Sequence, residues 1–180
     1  MSRQFHTSLF CCLFLLALLC ACVGGEKSTK DDLTELESTL AVLPVEAQQL
    51  KEISLPVCVQ DVQIFEIAYV TRVIDGDSIE VEVNGREEQV RYIGVNTPEY
   101  YSKERKESEQ ATELNRALVE GRYVLLVKDV SDRDKYDRLL RYVFTTDGFV
   151  NYELVKEGAA EVKEYPPDTA CHEYFLLADN

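Results

Sequence analysis

The stretch "SIEVEVNGREEQVRYIGVNTPE", Ser78 to Glu99, carries the clearest structural signal in the chain. Asn84-Gly85 separates two runs rich in β-branched residues, and that dipeptide favours a tight hairpin because both central positions need positive φ. The flanking arms, "SIEVEV" and "EEQVRYIGV", are nearly equal. A hairpin of that symmetry returns the chain to its starting end. Asp77, just before the first arm, is therefore expected beside Asn96 and Thr97, just after the second. Arg91 lies on the second arm, and Asn96, Thr97, Pro98 and Glu99 crowd into a turn. Singly, a strand arginine and a Pro-containing turn are ordinary surface features. Their interest lies in what they meet.

Outward from this hairpin the texture stays β. "QIFEIAYVTRVID" alternates, with Ile64, Ile67, Tyr69 and Val73 as expected inward positions. "SKERKESEQATELNRALVEG" has helical spacing through Ala111, Leu114 and Leu118 and stops at Gly121. "RYVLLVKDV" and "LLRYVFT" read as two further strands around the charged loop "SDRDKYDR". "NYELVKEG" is a short helix, and "DTACHEYFLLADN" starts a last one at an Asp168/Thr169 cap. Three strands, a helix, two strands and two helices predict an α+β domain. Its expected form is a five-stranded Greek-key barrel of the OB type with three helices. The last helix, about eleven residues, is marginal alone and is read as incomplete.

The 180 residues divide into three parts. Residues 1–22 carry "LFCCLFLLALLCA", about 13 apolar residues, which suits a signal peptide and falls short of the roughly 17–25 of a membrane span. The run ends in "LCAC", which resembles a bacterial lipobox with Cys22 as the lipidated residue; an ordinary cleaved signal is the alternative. Export, with or without a lipid anchor, follows from either. Residues 23–60 read as a tether, with a short helix capped near Thr34 and interruptions at Pro44 and Pro56. Residues 61–180 form the domain. After export only Cys58 and Cys171 remain as thiols, either as a disulfide or as two free cysteines. No CxxC is present, which argues against zinc. The chain has 19 Lys+Arg against 33 Asp+Glu, a net charge of −14. Bulk attraction for a polyanion is excluded, so a metal or a local cluster of cations must hold any nucleic acid.

Such a cluster can be assembled from the loops. Asp77 offers a carboxylate, Asn96 an amide oxygen and Thr97 a backbone carbonyl, a donor set suited to calcium with water completing the shell. Glu99 follows closely enough to hold a water. Arg91 points to the same end, and Arg138 follows the loop "DKYDR". Two guanidiniums and a dication suit the charge of a pentacoordinate phosphate. Lys135 and Tyr136 add a cation and a phenol at the rim. Together these residues describe metal-assisted hydrolysis of a phosphodiester.

"RVIDGDSIEV", "VRYIGVNTPE", "DKYDRLLRYVF" and "VNYELVKEGAAEV…YPPD", in that order, closely resemble the thermonuclease (staphylococcal nuclease) family over residues 66 to 178. The resemblance implies an OB-fold nuclease that uses calcium to cleave DNA and RNA, single strands preferably, leaving 3′-phosphates, and acting as a monomer. It makes Asp77 a calcium ligand, Arg91 and Arg138 phosphate clamps, and Glu99 the general base or water-positioning group. Lys135 and Tyr136 would face the terminal phosphate, Asp75 would lie just outside the metal's inner shell, and Tyr165 would line the nucleotide pocket. The chain departs from the pattern in three ways. Asn96 stands where the family's prototype has an aspartate, Asp137 replaces a glycine and is expected to compete for Arg138, and the domain is acidic where the prototype is basic. A non-catalytic surface OB module binding nucleotides, nucleic acid or a protein is the rival reading, but a module that only binds would be expected to lose the clamp arginines or the glutamate, and this chain keeps Arg91, Glu99 and Arg138.

Overall fold

The structure, a computed structural model, describes residues 43–60, 65–99 and 105–178. The signal-like segment, Cys22 and the helix expected from Thr34 lie outside the described residues.

Strands β1 (Phe65–Asp75), β2 (Ser78–Val83) and β3 (Arg86–Tyr92) form an antiparallel meander. Asn84 and Gly85 have φ of 52° and 73°, as the two-residue hairpin requires. Its register places Ser78 opposite Arg91, and the Tyr92 N–H donates to the Asp77 carbonyl at 3.0 Å. The hairpin thus closes on the end where Asp77 waits. β1 bends between two partners: its start pairs with β5 (Tyr123–Val127), the rest with β2. β5 pairs antiparallel with β6 (Leu139–Thr145), and β6 closes the barrel by parallel pairing with β3. A closed five-stranded mixed barrel results, as the element order predicted. β7 (Gly148–Phe149) extends the barrel sheet from β6, while β4 (Val95–Asn96) and β8 (Glu161–Val162) form a separate two-stranded sheet.

The inward set of β1 differs from expectation. Val73 is buried as expected, but Ala68 and Val70 are the buried residues ahead of it, while Ile67 is half-buried and Tyr69 is 37% exposed and packs tilted against Tyr123. The register slips between Val70 and Arg72, so the parity of inward residues changes within the strand. Ile64 lies outside the described residues.

Four helices accompany the barrel among the described residues, one more than expected. The addition is α1 (Val45–Gln49), within the segment read as tether. Ala47, Leu50 and Val59 from this segment are buried, and Glu46 accepts from the Arg122 Nε and the Tyr123 N–H at 3.0 and 3.2 Å. The same segment covers the outside of β5, whose residues Val124 to Val127 are all buried. Helix α2 (Arg105–Val119) lies on β1, with Ser108, Ala111, Asn115 and Val119 buried along one face. Helix α3 (Val150–Lys156) packs on β6; Asn151, wholly buried, accepts from the Val143 N–H and donates to the Ile93 carbonyl.

The last helix, α4, spans only His172–Leu176. It does not begin at Asp168 or Thr169. The Asp168 carboxylate instead accepts from the N–H groups of Val130 and Ser131, at 3.0 and 2.7 Å, and so fastens the loop after β5. Short as it is, α4 is firmly docked. Phe175 is fully buried over Gly94, where φ is +79° and an added Cβ would lie 2.5 Å from the ring. Of the two readings open for the cysteines, the disulfide is the one formed: Cys58 and Cys171 are bonded, with Cα atoms 5.0 Å apart and a sequence separation of 113. On the chain-entropy account a loop of that length is worth about 4–5 kcal/mol. Urea unfolding of the Cys58→Ala/Cys171→Ala variant is expected to show a loss of that order. A loss below about 1 kcal/mol would mean that packing alone holds α4 and the N-terminal segment.

Candidate active site

The turn Asp75-Gly76-Asp77 is the foundation. Asp75 Oδ1 accepts from the Asp77 N–H and from Ser78 Oγ, at 3.1 and 2.7 Å, which folds the turn on itself. Gly76 is required by close approach: a Cβ there would lie 2.7 Å from the Thr97 side chain and 2.8 Å from Ala111 of α2. Below the turn, the Tyr92 hydroxyl donates to Asn115 Oδ1, and Asn115 Nδ2 donates to the Asp75 carbonyl, both at 2.9 Å. Burial pushes the Tyr92 phenol well above its usual range, so it stays a donor.

Asp77, 6% exposed, joins three parts of the chain. Its Oδ2 accepts from the Thr97 N–H at 2.7 Å and from Thr97 Oγ1 at 3.0 Å. Its Oδ1 lies 3.1 Å from Arg91 Nη1. The other end of the same guanidinium, Nη2, donates to Asn96 Oδ1 at 3.2 Å, and the Tyr165 hydroxyl donates to that oxygen as well, at 3.3 Å. Arg91 therefore bridges Asp77 and Asn96. Burial raises the Asp77 carboxyl to about 6; Arg91 works against this, Asp75 adds to it, and the two Thr97 donors again oppose it. Among the described residues no group of three or more His, Cys, Asp or Glu side chains is placed to hold a metal ion.

The second arginine is set by its loop. Asp134 Oδ1 accepts from the N–H groups of Tyr136 and Arg138, at 2.8 and 3.0 Å, and Asp134 Oδ2 takes Arg138 Nε and Nη2 at 2.8 and 2.7 Å. Burial works to raise the Asp134 carboxyl, but the Arg138 side chain and the two N–H groups outweigh it and hold it low. Asp137 does not compete for Arg138, contrary to expectation. At φ 70° its carboxylate turns out to 3.6 Å from Arg133 Nε, and its carbonyl accepts from Arg133 Nη1 at 2.7 Å. Arg133 is itself held by Glu88. Tyr136, 69% exposed, has Lys135 Nζ and Arg138 Cζ over its ring at 4.8 and 5.6 Å.

These groups open on two adjoining clefts of about 780 and 640 Å³. Arg91, Glu99, Tyr136 and Arg138 line both. Asp75, Asp77 and Thr97 face the first; Asn96, Lys135 and Tyr165 face the second. Every loop residue singled out from the sequence is thus brought to one place, while Cys58 and Cys171 serve the disulfide elsewhere and Cys22 lies outside the described residues. Three groups escaped the sequence reading. Asp134 was overlooked although an aspartate two and four residues ahead of loop N–H groups is an Asx-turn signal. Asn115 on the apolar face of a predicted helix was a second signal. Glu109 and Glu113, which put carboxylates on the α2 wall of the first cleft, followed only from knowing which face of α2 looks inward.

The chain is similar to known nucleases. The chain is 39% identical over 102 residues to a thermonuclease of Staphylococcus intermedius, covering 55% of this chain and 61% of that protein. It is 40% identical over 111 residues to endonuclease YncB of Bacillus subtilis, covering 59% and 53%. It is 38% identical over 109 residues to the SPbeta prophage-derived endonuclease YokF of the same organism, covering 58% and 37%. The chain thus spans between about a third and three-fifths of these relatives' lengths. A family model described as "Staphylococcal nuclease homologue" matches residues 89–179, half of the chain and the part that carries Arg91, Asn96, Glu99 and Arg138. By that match the chain belongs to the family of staphylococcal nuclease homologues.

Proposed function

We propose that this domain is a calcium-dependent endonuclease that hydrolyses phosphodiester bonds of DNA and RNA, single strands preferably, leaving 3′-phosphates. The observation that carries the reading is the wall common to both clefts, where Arg91 and Arg138 accompany Glu99. Two guanidiniums supply donors for phosphoryl oxygens that gain charge, and a carboxylate beside them can accept a proton from water. The water oxygen bonds to phosphorus as the bond to the 5′ oxygen breaks; Glu99 takes the water's proton, and the 5′ oxygen leaves as a hydroxyl after taking up a proton. Lys135 meets a terminal phosphate. Tyr136 and Tyr165 offer ring faces to an unstacked nucleotide, which a single strand presents and a duplex does not. The relatives named thermonuclease and endonuclease support the same reading.

The residues present fit calcium. Asp77, Asn96 and the Thr97 carbonyl are hard oxygen donors. A guanidinium already bridges Asp77 and Asn96, so the position accepts positive charge. When bound, the ion supplies Lewis-acid stabilisation of phosphate charge. Asn96 brings one negative charge fewer than a carboxylate, so affinity is expected to be modest. The domain acts as a monomer outside the cytoplasm, either anchored through lipid on Cys22 or released after signal cleavage. The Cys58–Cys171 disulfide supports export, since such bonds persist in oxidising compartments.

Replacing Arg138 by Ala, or Glu99 by Gln, is expected to lower kcat on a single-stranded oligodeoxynucleotide by about 10²–10⁴-fold while circular dichroism stays unchanged; Arg91→Ala is expected to lose activity too and, by leaving Asp77 unpaired, to lower Tm as well. A folded wild-type chain that does not cut in calcium would overturn the nuclease reading and favour a binding module. The raised Asp77 value has a pH signature. Without calcium, this group's contribution to stability is complete below its ordinary 3.8 and is lost as pH rises through about 6. Calcium and the proton compete for the same carboxylate. The calcium-induced rise in Tm is therefore expected to be full near about pH 7–8 and to shrink as pH falls through about 6. Equal rises at about pH 5 and pH 8 would remove Asp77 from the ligand set.

A further inference from the structure

The phosphate-clamp role of Arg138 raises a question its own side chain cannot answer. An arginine has a long stem with several rotatable bonds, and a guanidinium that wanders by about 1 Å loses most of its effect on a reacting phosphate. Something must hold it. We propose that Asp134 is the positioning residue of this site, fixing the loop and the Arg138 guanidinium with one carboxylate; the inference rests on the nuclease reading above.

The geometry divides the work between two oxygens. Oδ1 takes the N–H groups of Tyr136 and Arg138 and so shapes the loop. Oδ2 takes Nε and Nη2 of Arg138 and so grips the guanidinium along its side edge. A guanidinium has five N–H donors. Asp134 uses Nε and one hydrogen of Nη2, which leaves the end-on pair, one hydrogen each on Nη1 and Nη2, for phosphate oxygens. Placement of the backbone and aim of the side chain are thereby coupled. Arg133 protects the arrangement. By holding Asp137 at its carbonyl and carboxylate, it keeps the neighbouring negative charge away from Arg138. The Glu88 pair keeps Arg133 itself in place.

The test uses the full chain and two readouts. Cleavage of a short single-stranded oligodeoxynucleotide in calcium gives kcat and KM for wild type, Asp134→Asn, Arg138→Ala and the double variant. Side-chain ¹⁵Nε–¹H NMR follows the Arg138 Nε–H directly, assigned by its loss in Arg138→Lys. Asp134→Asn keeps an oxygen for the loop N–H groups but lacks the second acceptor. Its kcat is expected to fall about 10–100-fold with little change in KM. In that background Arg138→Ala should cost far less than in wild type. The Nε–H signal should move to the position of a solvent-exposed arginine. An unchanged signal, or strictly additive losses, would overturn the proposal. If the wild type does not cut at all, the nuclease reading fails, and the Nε–H signal alone decides whether Asp134 positions Arg138. Should Asp134→Asn disturb the loop amides, Asp134→Ser supplies a hydroxyl acceptor for the loop and is read in the same way.

Discussion

The buried carboxylate of Asp77 is the interaction on which the site depends. It draws its partners from two places: Arg91 from β3, and the N–H and hydroxyl of Thr97 from the turn after β4. A carboxylate this deeply buried is tolerated only when it is paired. The pairing is possible because the Asn84-Gly85 hairpin sets Ser78 opposite Arg91. A one-residue slip in that hairpin would send Arg91 to the opposite face of the sheet and leave Asp77 alone in the interior. Barrel register and site chemistry are therefore the same constraint.

The chain's overall negative charge and the arginines in its clefts are reconciled by local pairing. Each arginine at the site is held by an acid: Arg91 by Asp77, Arg138 by Asp134, with Arg133 on Glu88 drawing off Asp137. These contacts do not build a broad positive surface, and the α2 wall of the first cleft adds the carboxylates of Glu109 and Glu113. A polyanion gains little from long-range attraction here. Recognition is confined to the short span where guanidiniums and the aromatic faces of Tyr136 and Tyr165 can reach a single nucleotide unit.

Much of this was legible in the sequence, for identifiable reasons. The hairpin carries its own turn chemistry, so the meeting of Asp77 with Asn96 and Thr97 could be read from arm lengths alone. The strand order followed from alternation and from glycine stops. What escaped depended on tertiary contact. The inward set of β1 changes parity at a bulge that no residue type announces. The segment around Ala47 and Leu50 has helical turns too short to show a period, and it earns its burial only because β5 needs cover on its outer face. Asp168 resembles a helix cap in sequence, yet it serves a loop some forty residues earlier. Asp137 looked like a rival for Arg138 because they are neighbours in sequence; its positive φ sends it the other way.

The Cys58–Cys171 bond has a mechanical consequence. The covalent ring it closes contains all five strands of the barrel, the hairpin that carries Arg91 and the loop that carries Arg138. Tension between a point before Cys58 and a point after Cys171 runs through the sulfur bridge and bypasses the ladders inside the ring. Pulling on the chain from its two sides would extend only the segments outside the bond. The barrel, and the distances between Arg91, Glu99 and Arg138 with it, would carry no load until the bridge was cut.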